Sequence, residues 1–424
     1  MKLIRIFLAL VILLTPVSRA VANPIVPTMD KPELVIPTPT PPPVVGNGAV
    51  LIDTNTGQIL FAKNEHGRLY PASTTKILTA LVALEQGKLG DKVIIDKEPT
   101  EAGGSSIWLK EGEEVTLEEL IWSLLLNSAN DAAVAIAKHI GGSVQGFTKI
   151  MNDKAKQLGA VESNFVNPNG LPSPDHYTTT HDLALIAKAA MGNPEFRKIV
   201  GSKVKDINRV PADALTRLIN HNKLLWRYEG ANGIKTGYTV QAQQCLVGSA
   251  KKDDQEFIAV VLGSTGGSIW GDVTKLLDFG FANFQTVKLI EGNKLVKTVT
   301  VQNAEIPVQA LTARSLAYTV NRGGVLNPQP SVELTKNLRA PVPKGTVVGK
   351  LIYTSGGQEL GQVELLAANN VEPKKFPVKK VIWIGGWALG LVYLFLLIRK
   401  AALRKERRKE RRTRLYGISD KNLY

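Results

Sequence analysis

The stretch Pro71 to Ala80, PASTTKILTA, sets Ser73 three residues ahead of Lys76 just where an apolar helical pattern begins. Ile77, Leu78, Leu81, Val82 and Leu84 recur at the helical interval, and Gly87 is a natural stop, so the spacing predicts a helix from the motif to Gly87. Taken alone, the pair reads as a capping serine and a surface lysine. SKVK (Ser202, Lys205) and SAKK (Ser249, Lys252) share the spacing, so the pair needs corroboration from elsewhere in the chain.

Upstream, AVLIDTNTGQILFAKN reads as strand, Thr-Gly turn and strand, an opening hairpin. Downstream, VTLEELIWSLLLNSANDAAVAIAKHIGG gives two apolar helical stretches broken at Asn127–Asn130, with Asn130 or Asp131 in place to cap the second. FTKIMNDKAKQLGA and TTTHDLALIAKAAM add amphipathic helices. QCLVGSAKKDDQEFIAVVLGST reads as two strands joined by a charged turn, and VTKLLDFGFANF as a closing helix. Strands, helices and strands again predict an α+β domain over 47–284, with helices packed on an antiparallel sheet. Residues 285–371 carry short alternating strands with Gly and Pro turns, a small all-β domain.

The ends are of another kind. Lys2 and Arg5, the apolar run Ile6–Leu14 and Ala20-Val21-Ala22 form a secretory signal peptide over 1–22. Residues 23–46 hold eight prolines, a stiff leader unable to pack a core. After a basic linker at 372–380, residues 381–398 are uncharged, a helix of about 27 Å against a bilayer core of about 30 Å. Trp383, Trp387 and Tyr393 suit the interfaces. Residues 399–424 form a basic tail in which ten Lys/Arg outweigh two Glu between Arg399 and Arg414, a net +8. Positive flanks stay cytoplasmic, so the chain is expected to cross the cytoplasmic membrane once, its bulk on the periplasmic or wall side. The tail and the signal peptide (+3) carry most of the formal +15, leaving +4 for the rest. This argues against a nucleic-acid partner and for anionic lipid headgroups at the tail. Cys245, the sole cysteine, cannot form an internal disulfide and reads as a small core residue.

Three polar groups occur in order: Ser73-x-x-Lys76, Ser128-Ala129-Asn130 and Lys235-Thr236-Gly237. A serine hydroxyl needs a base, and three residues along a helix bring Lys76 to the same face as Ser73. An ordinary lysine, with a pKa near 10.4, is a free base about once in a few thousand molecules at neutral pH, so burial and a second cation must depress it. Lys235 can supply that cation. Ser128 can relay a proton from Lys76 to a leaving amine, Asn130 can hydrogen-bond a substrate amide, and Lys235 with Thr236 suits a terminal carboxylate. Gly237 lets substrate backbone lie on an edge strand, and the backbone N–H groups of Ser73 and Tyr238 would hold the oxyanion. The five histidines (His66, His139, His176, His181, His221) form no HExxH or Cys/His pattern, and His176 and His181 read as loop and cap residues. Neither a metal nor another cofactor is expected.

With YPASTTKILTALVALE, LLLNSANDAAVAIAKHIGG, MNDKAKQLGAVESNFVNPNGL and ANGIKTGYT, the chain resembles the penicillin-binding serine D-alanyl-D-alanine carboxypeptidases, low-molecular-mass penicillin-binding proteins, over roughly 47–371. The resemblance implies a β-lactamase-like penicillin-recognising domain followed by a β domain and a C-terminal membrane attachment. It also implies acylation of Ser73 by peptidoglycan stem peptides ending in D-Ala-D-Ala, and by β-lactams. Two departures stand out: Ala242-Gln243 follows KTGYT where many relatives have Ala-Gly, and TGGSIWGD lacks the arginine relatives use for the substrate carboxylate, Ile269 or Trp270 standing there. A class A-type β-lactamase would need a deacylating glutamate, for which Glu162 is a near miss because Asn167 falls one position late. A non-catalytic, membrane-tethered stem-peptide binder would not need Lys76.

Overall fold

The computed structural model describes residues 39–211, 213–375 and 378–416. The signal peptide, most of the proline-rich leader and residues 417–424 lie outside the described residues. The chain opens with β1 (Gly48–Asp53) and β2 (Ile59–Lys63), then a 3-10 turn (Ala72–Thr75) that runs directly into α1 (Lys76–Gln86). There follow β3 (Lys92–Ile94), α2 (Lys97–Thr100), β4 (Glu114–Thr116), α3 (Leu117–Leu126), α4 (Asn130–Gly141) and α5 (Val144–Gln157). A long loop leads to α6 (Thr180–Met191), α7 (Pro194–Gly201), β5 (Val204–Asp206), β6 (Arg217–Ile219) and α8 (Leu224–Arg227). β7 (Ala231–Thr239), β8 (Gln243–Lys252), β9 (Gln255–Ser264) and α9 (Ile269–Asn283) complete this part.

The helix starts carry side-chain oxygens that satisfy orphan N–H groups. Thr116 accepts from the Glu119 N–H at 3.2 Å while Glu119 accepts from the Thr116 N–H at 3.1 Å, a capping box on α3. Ser143, Thr179 and Asn193 cap α5, α6 and α7. Neither Asn130 nor Asp131 caps α4, whose N-cap is Ala129 without a side-chain bond. Asp131 instead accepts from Ser106 Oγ at 2.5 Å and the Leu109 N–H at 3.0 Å, holding the 105–109 loop.

The main sheet has the antiparallel order β2-β1-β9-β8-β7, so β7 is an edge. Its central strands are buried on both faces, which is why AVLID and FIAVVLG read as unbroken apolar runs. Alternate residues serve different cores: Val50, Ile52, Ile258 and Val260 pack with α1, α3, α4 and α6, whereas Leu51, Phe257, Ala259 and Val261 pack with α9. The α+β expectation is met.

β10 (Phe284–Ile290) pairs with β13 (Leu316–Asn321). β11 (Leu295–Val299), β12 (Val308–Thr312), β14 (Gln329–Leu334), β15 (Val347–Ser355) and β16 (Gln358–Ala367) form a second sheet, around a separate core that includes Val308, Val348 and Leu365. The turn after β1 clasps this part: buried Asp53 accepts from Thr286 Oγ1 at 2.5 Å and Thr319 Oγ1 at 2.9 Å. α10 (Val378–Tyr416) is one unbroken helix that begins within the expected basic linker and runs on into the basic tail. It includes a window of mean hydropathy 1.8, long and apolar enough to cross a membrane and with none of it buried.

The leader departs from expectation. Its last residues are docked: Asp272 on α9 accepts from the Val45 and Gly46 N–H groups, both at 3.0 Å, and Val44 packs on the α9 core. Proline content forbids helix and sheet but does not prevent a short extended segment from meeting a buried carboxylate.

Among the ion pairs of the described residues, that of Arg209 is the most enclosed. Arg209 makes a two-point pair with Glu113 at 2.7 and 2.8 Å, both side chains nearly inaccessible, and also donates to the Ile107 and Trp108 carbonyls. Glu113→Ala leaves a guanidinium buried without its partner and is expected to lower unfolding free energy by about 3 kcal/mol, read as a shift in the urea midpoint at constant slope. An unchanged midpoint would contradict a role for this pair in bracing the 105–109 loop.

Candidate active site

Ser73 sits in the 3-10 turn and Lys76 is the first residue of α1, so the hydroxyl lies at the positive end of that helix. Lys76 is fully buried. Its Nζ lies 2.8 Å from Ser73 Oγ, 2.6 Å from Asn130 Oδ1 and 2.7 Å from the Asn169 carbonyl. Two of these three neighbours can only accept. As an ammonium, Lys76 donates to all three; as a neutral amine, with two N–H donors and one lone pair, it would donate to Asn130 and Asn169 and turn the lone pair toward the Ser73 hydroxyl.

Burial, and then the Lys235 amine, hold the Lys76 pKa well below the usual lysine value; Asp131 opposes weakly. Lys235 is also buried and is brought down to about 7 by desolvation; its Nζ donates to the Thr236 carbonyl at 3.0 Å. His176, buried, accepts from the Val166 N–H at Nδ1 (3.1 Å), so Nε2 carries the proton toward Thr75 Oγ1 at 2.9 Å. Burial and Lys76 lower this imidazole to about 4, keeping it neutral.

Two glycines permit the convergence. Gly237 on β7 lies against the Ser73 turn: a Cβ there would stand 3.0 Å from the Ser73 nitrogen and 3.2 Å from the Pro71 carbonyl oxygen. The crowding on this residue is therefore with the Ser73 turn, a constraint separate from the substrate approach expected of it. Gly170, at φ +89°, would place a Cβ 1.8 Å from the Ala72 carbonyl oxygen. Ala72 and Ser128 hold left-handed backbone at φ +47° and +59°, strain of the sort that collects beside reacting groups.

A cleft of about 320 Å³ is lined by Ser73, Ser128, Thr236, Gly237 and Tyr238. The three sequence motifs thus meet. The Ser128 hydroxyl is not among the three partners of Lys76, so the relay contact expected of it is not made in this state. Asn130 is also more committed than expected: its Nδ2 donates to the Gly103 carbonyl at 2.8 Å, leaving one amide hydrogen for anything in the cleft. The decoy serines are elsewhere engaged. Ser202 caps the end of α7, and Ser249 Oγ donates to Asn232 while the Lys252 ammonium lies over the Tyr228 and Phe281 rings.

Sequence reasoning missed several lining groups, His221, Ser105 and the Cys245 position among them, and missed the Asn169 carbonyl. The Asn-Pro-Asn-Gly turn was visible, but nothing in its spacing tied it to Lys76. Burial raises the Cys245 thiol to about 12, in keeping with a core role. Ile269 and Trp270 line the cleft where the arginine was sought. Glu162 bonds to His66 on the surface and is absent from the cleft lining, which removes the deacylating glutamate of a β-lactamase. A larger groove of about 730 Å³ between the β1–β2 turn and the second sheet contains none of the three motifs.

The family model described as D-alanyl-D-alanine carboxypeptidase matches residues 37–266, and that of the penicillin-binding protein 5 C-terminal domain matches 284–373. The D-alanyl-D-alanine carboxypeptidase DacF of Bacillus subtilis is 36% identical over 347 residues, 80% of this chain and 89% of its own. DacC of Escherichia coli is 33% identical, covering 82% and 91%. Penicillin-binding protein 5 from Haemophilus influenzae superposes with a TM-score of 0.67 at 34% identity, over 79% of this chain and 99% of that one.

Lys235→Gln removes the second cause of the Lys76 shift, so the Lys76 pKa is expected to rise toward the ordinary lysine value. The check is the midpoint of the Lys76 side-chain Cε resonance in an NMR pH titration; a midpoint that stays put or falls would refute electrostatic coupling between the two amines.

Proposed function

The chain belongs to the D-alanyl-D-alanine carboxypeptidase family, a serine peptidase, and from that premise we propose that Ser73 is the nucleophile and Lys76 its base. The observation that carries this reading is the Lys76 amine, fully buried and 2.8 Å from Ser73 Oγ, with Asn130 Oδ1 and the Asn169 carbonyl as its other partners.

Ser73 Oγ attacks the carbonyl of the penultimate D-alanine and gives its proton to Lys76. The oxyanion is held by the backbone N–H groups of Ser73 and Tyr238, the latter on β7 beside the nucleophile turn. Collapse expels the terminal D-alanine, whose amine takes the proton back from Lys76 through Ser128. Water, deprotonated by Lys76, then cleaves the Ser73 ester, releasing the shortened peptide and restoring the hydroxyl. The remaining Asn130 N–H is available to the substrate amide. Lys235 and Thr236 receive the terminal carboxylate; an arriving anion raises the Lys235 pKa, so the amine gains its charge as the ligand docks.

β-Lactams acylate Ser73 by the same route, their amide standing for the D-Ala-D-Ala bond. With Ile269 and Trp270 in the cleft, carboxylate anchoring rests on Lys235 and Thr236, which favours a larger share of endopeptidase cleavage at cross-links, where the chain end is not the only handle. The remaining features follow the sequence: a domain division near 284/285, export by residues 1–22, one membrane crossing by 381–398, the cleft on the periplasmic or wall side and the basic tail on cytoplasmic anionic lipid.

Full chain in detergent is expected to release D-alanine from a pentapeptide ending in D-Ala-D-Ala, and Ser73→Ala to reduce the rate by at least about 10³-fold. No release by the parent chain, with the peptide still bound, would leave the stem-peptide binder. Many rapid turnovers of a chromogenic cephalosporin would leave the β-lactamase.

A further inference from the structure

We propose that His66, Glu162 and His181 form a binding site for a divalent transition ion of the zinc class, outside the cleft. The three come from separate segments: the turn after β2, the loop after α5 and the first turn of α6. One donor atom from each lies within 4.8 Å of the others. His66 Nδ1 is 2.6 Å from Glu162 Oε2, and the two imidazole rings are 5.1 Å apart. His66 and His181 are 115 positions apart, so no spacing rule could have joined them; His181 reads in the sequence as a cap, but the cap of α6 is Thr179 and His181 lies within the first turn.

The backbones that carry these groups are already fixed. The His181 N–H donates to the Glu65 carbonyl at 3.1 Å. Asp182, fully buried, accepts from the Glu162 N–H and from Ser163 Oγ, both at 2.7 Å. Its other oxygen is 3.3 Å from His181 Nδ1. With Nδ1–H donating to Asp182, Nε2 is the free ring nitrogen, the carboxylate–histidine arrangement that orients an imidazole toward a metal. Two imidazoles and a carboxylate, with a fourth position open to water, suit tetrahedral zinc with bonds of about 2.0–2.2 Å. Such bonds require a His66–Glu162 separation of about 3.3 Å, reached by side-chain rotation at an exposed pair. Metal entry displaces the proton shared between His66 and Glu162. Glu65 and Asp182 add negative charge around the position.

Full chain without a histidine tag, purified in detergent and dialysed against zinc, is expected to retain one zinc per chain. His66→Gln combined with His181→Gln, or Glu162→Gln alone, should lose it, whereas His139→Gln, at a surface His–Asp pair, should keep it. The zinc absorption edge should show nitrogen and oxygen neighbours and no sulfur, and zinc at a hundredfold excess over its Kd should raise Tm by about 5 °C in the parent chain only. Circular dichroism confirms that the variants fold; these positions are at least partly exposed. No retained zinc in the parent chain, full retention in the double variant, or sulfur ligation each overturns the proposal.

Discussion

Everything in the cleft depends on one amine kept out of water. A lysine nitrogen buried beside a second amine cannot hold a proton cheaply, and Asn130 Oδ1 and the Asn169 carbonyl, which only accept, fix where its N–H groups point. The serine is ordinary in itself; the reactivity proposed for it is a property of the cage. That cage is assembled from four distant segments: the α1 start, the α4 start, the 166–171 loop and β7. Loss of any wall would let water in, restore the lysine proton and leave the hydroxyl without a base.

The fold serves that cage by allowing backbones to approach where side chains would block them. Gly170 brings the loop carbonyl of Asn169 within reach of Lys76, and Gly237 brings the edge strand against the Ser73 turn. Asp131, Arg209 and Glu113 secure the 105–109 loop from the other side. Rigid elements carry the reacting groups, while the loops between them are fixed by buried charge and hydrogen bonds.

Much of this was legible in the sequence because it is local. The ordered triplets, the helical interval after Lys76 and the unbroken apolar runs of β1 and β9 all follow from short-range rules. What escaped is long-range and backbone-borne. A carbonyl has no letter of its own, so Asn169 gave no sign that its main chain would hold Lys76. Asp272 read as one acid on a helix, though it grips the N–H groups of Val45 and Gly46 more than two hundred positions earlier. Ser128 and Asn130 were recognised by type, yet Ser128 makes no hydrogen bond to Lys76 and Asn130 bonds to Lys76 and Gly103, because spacing gives proximity and not orientation. The histidines failed any linear pattern for the same reason.

The grip of Asp272 ties together two regions that differ in kind. It binds the incoming leader on one side and Ser264 Oγ on the other, and it stands two residues past Trp270 in the wall of the cleft. A shift of the short extended segment at 44–46 therefore bears directly on the first turn of α9, which carries a side chain of the cleft wall.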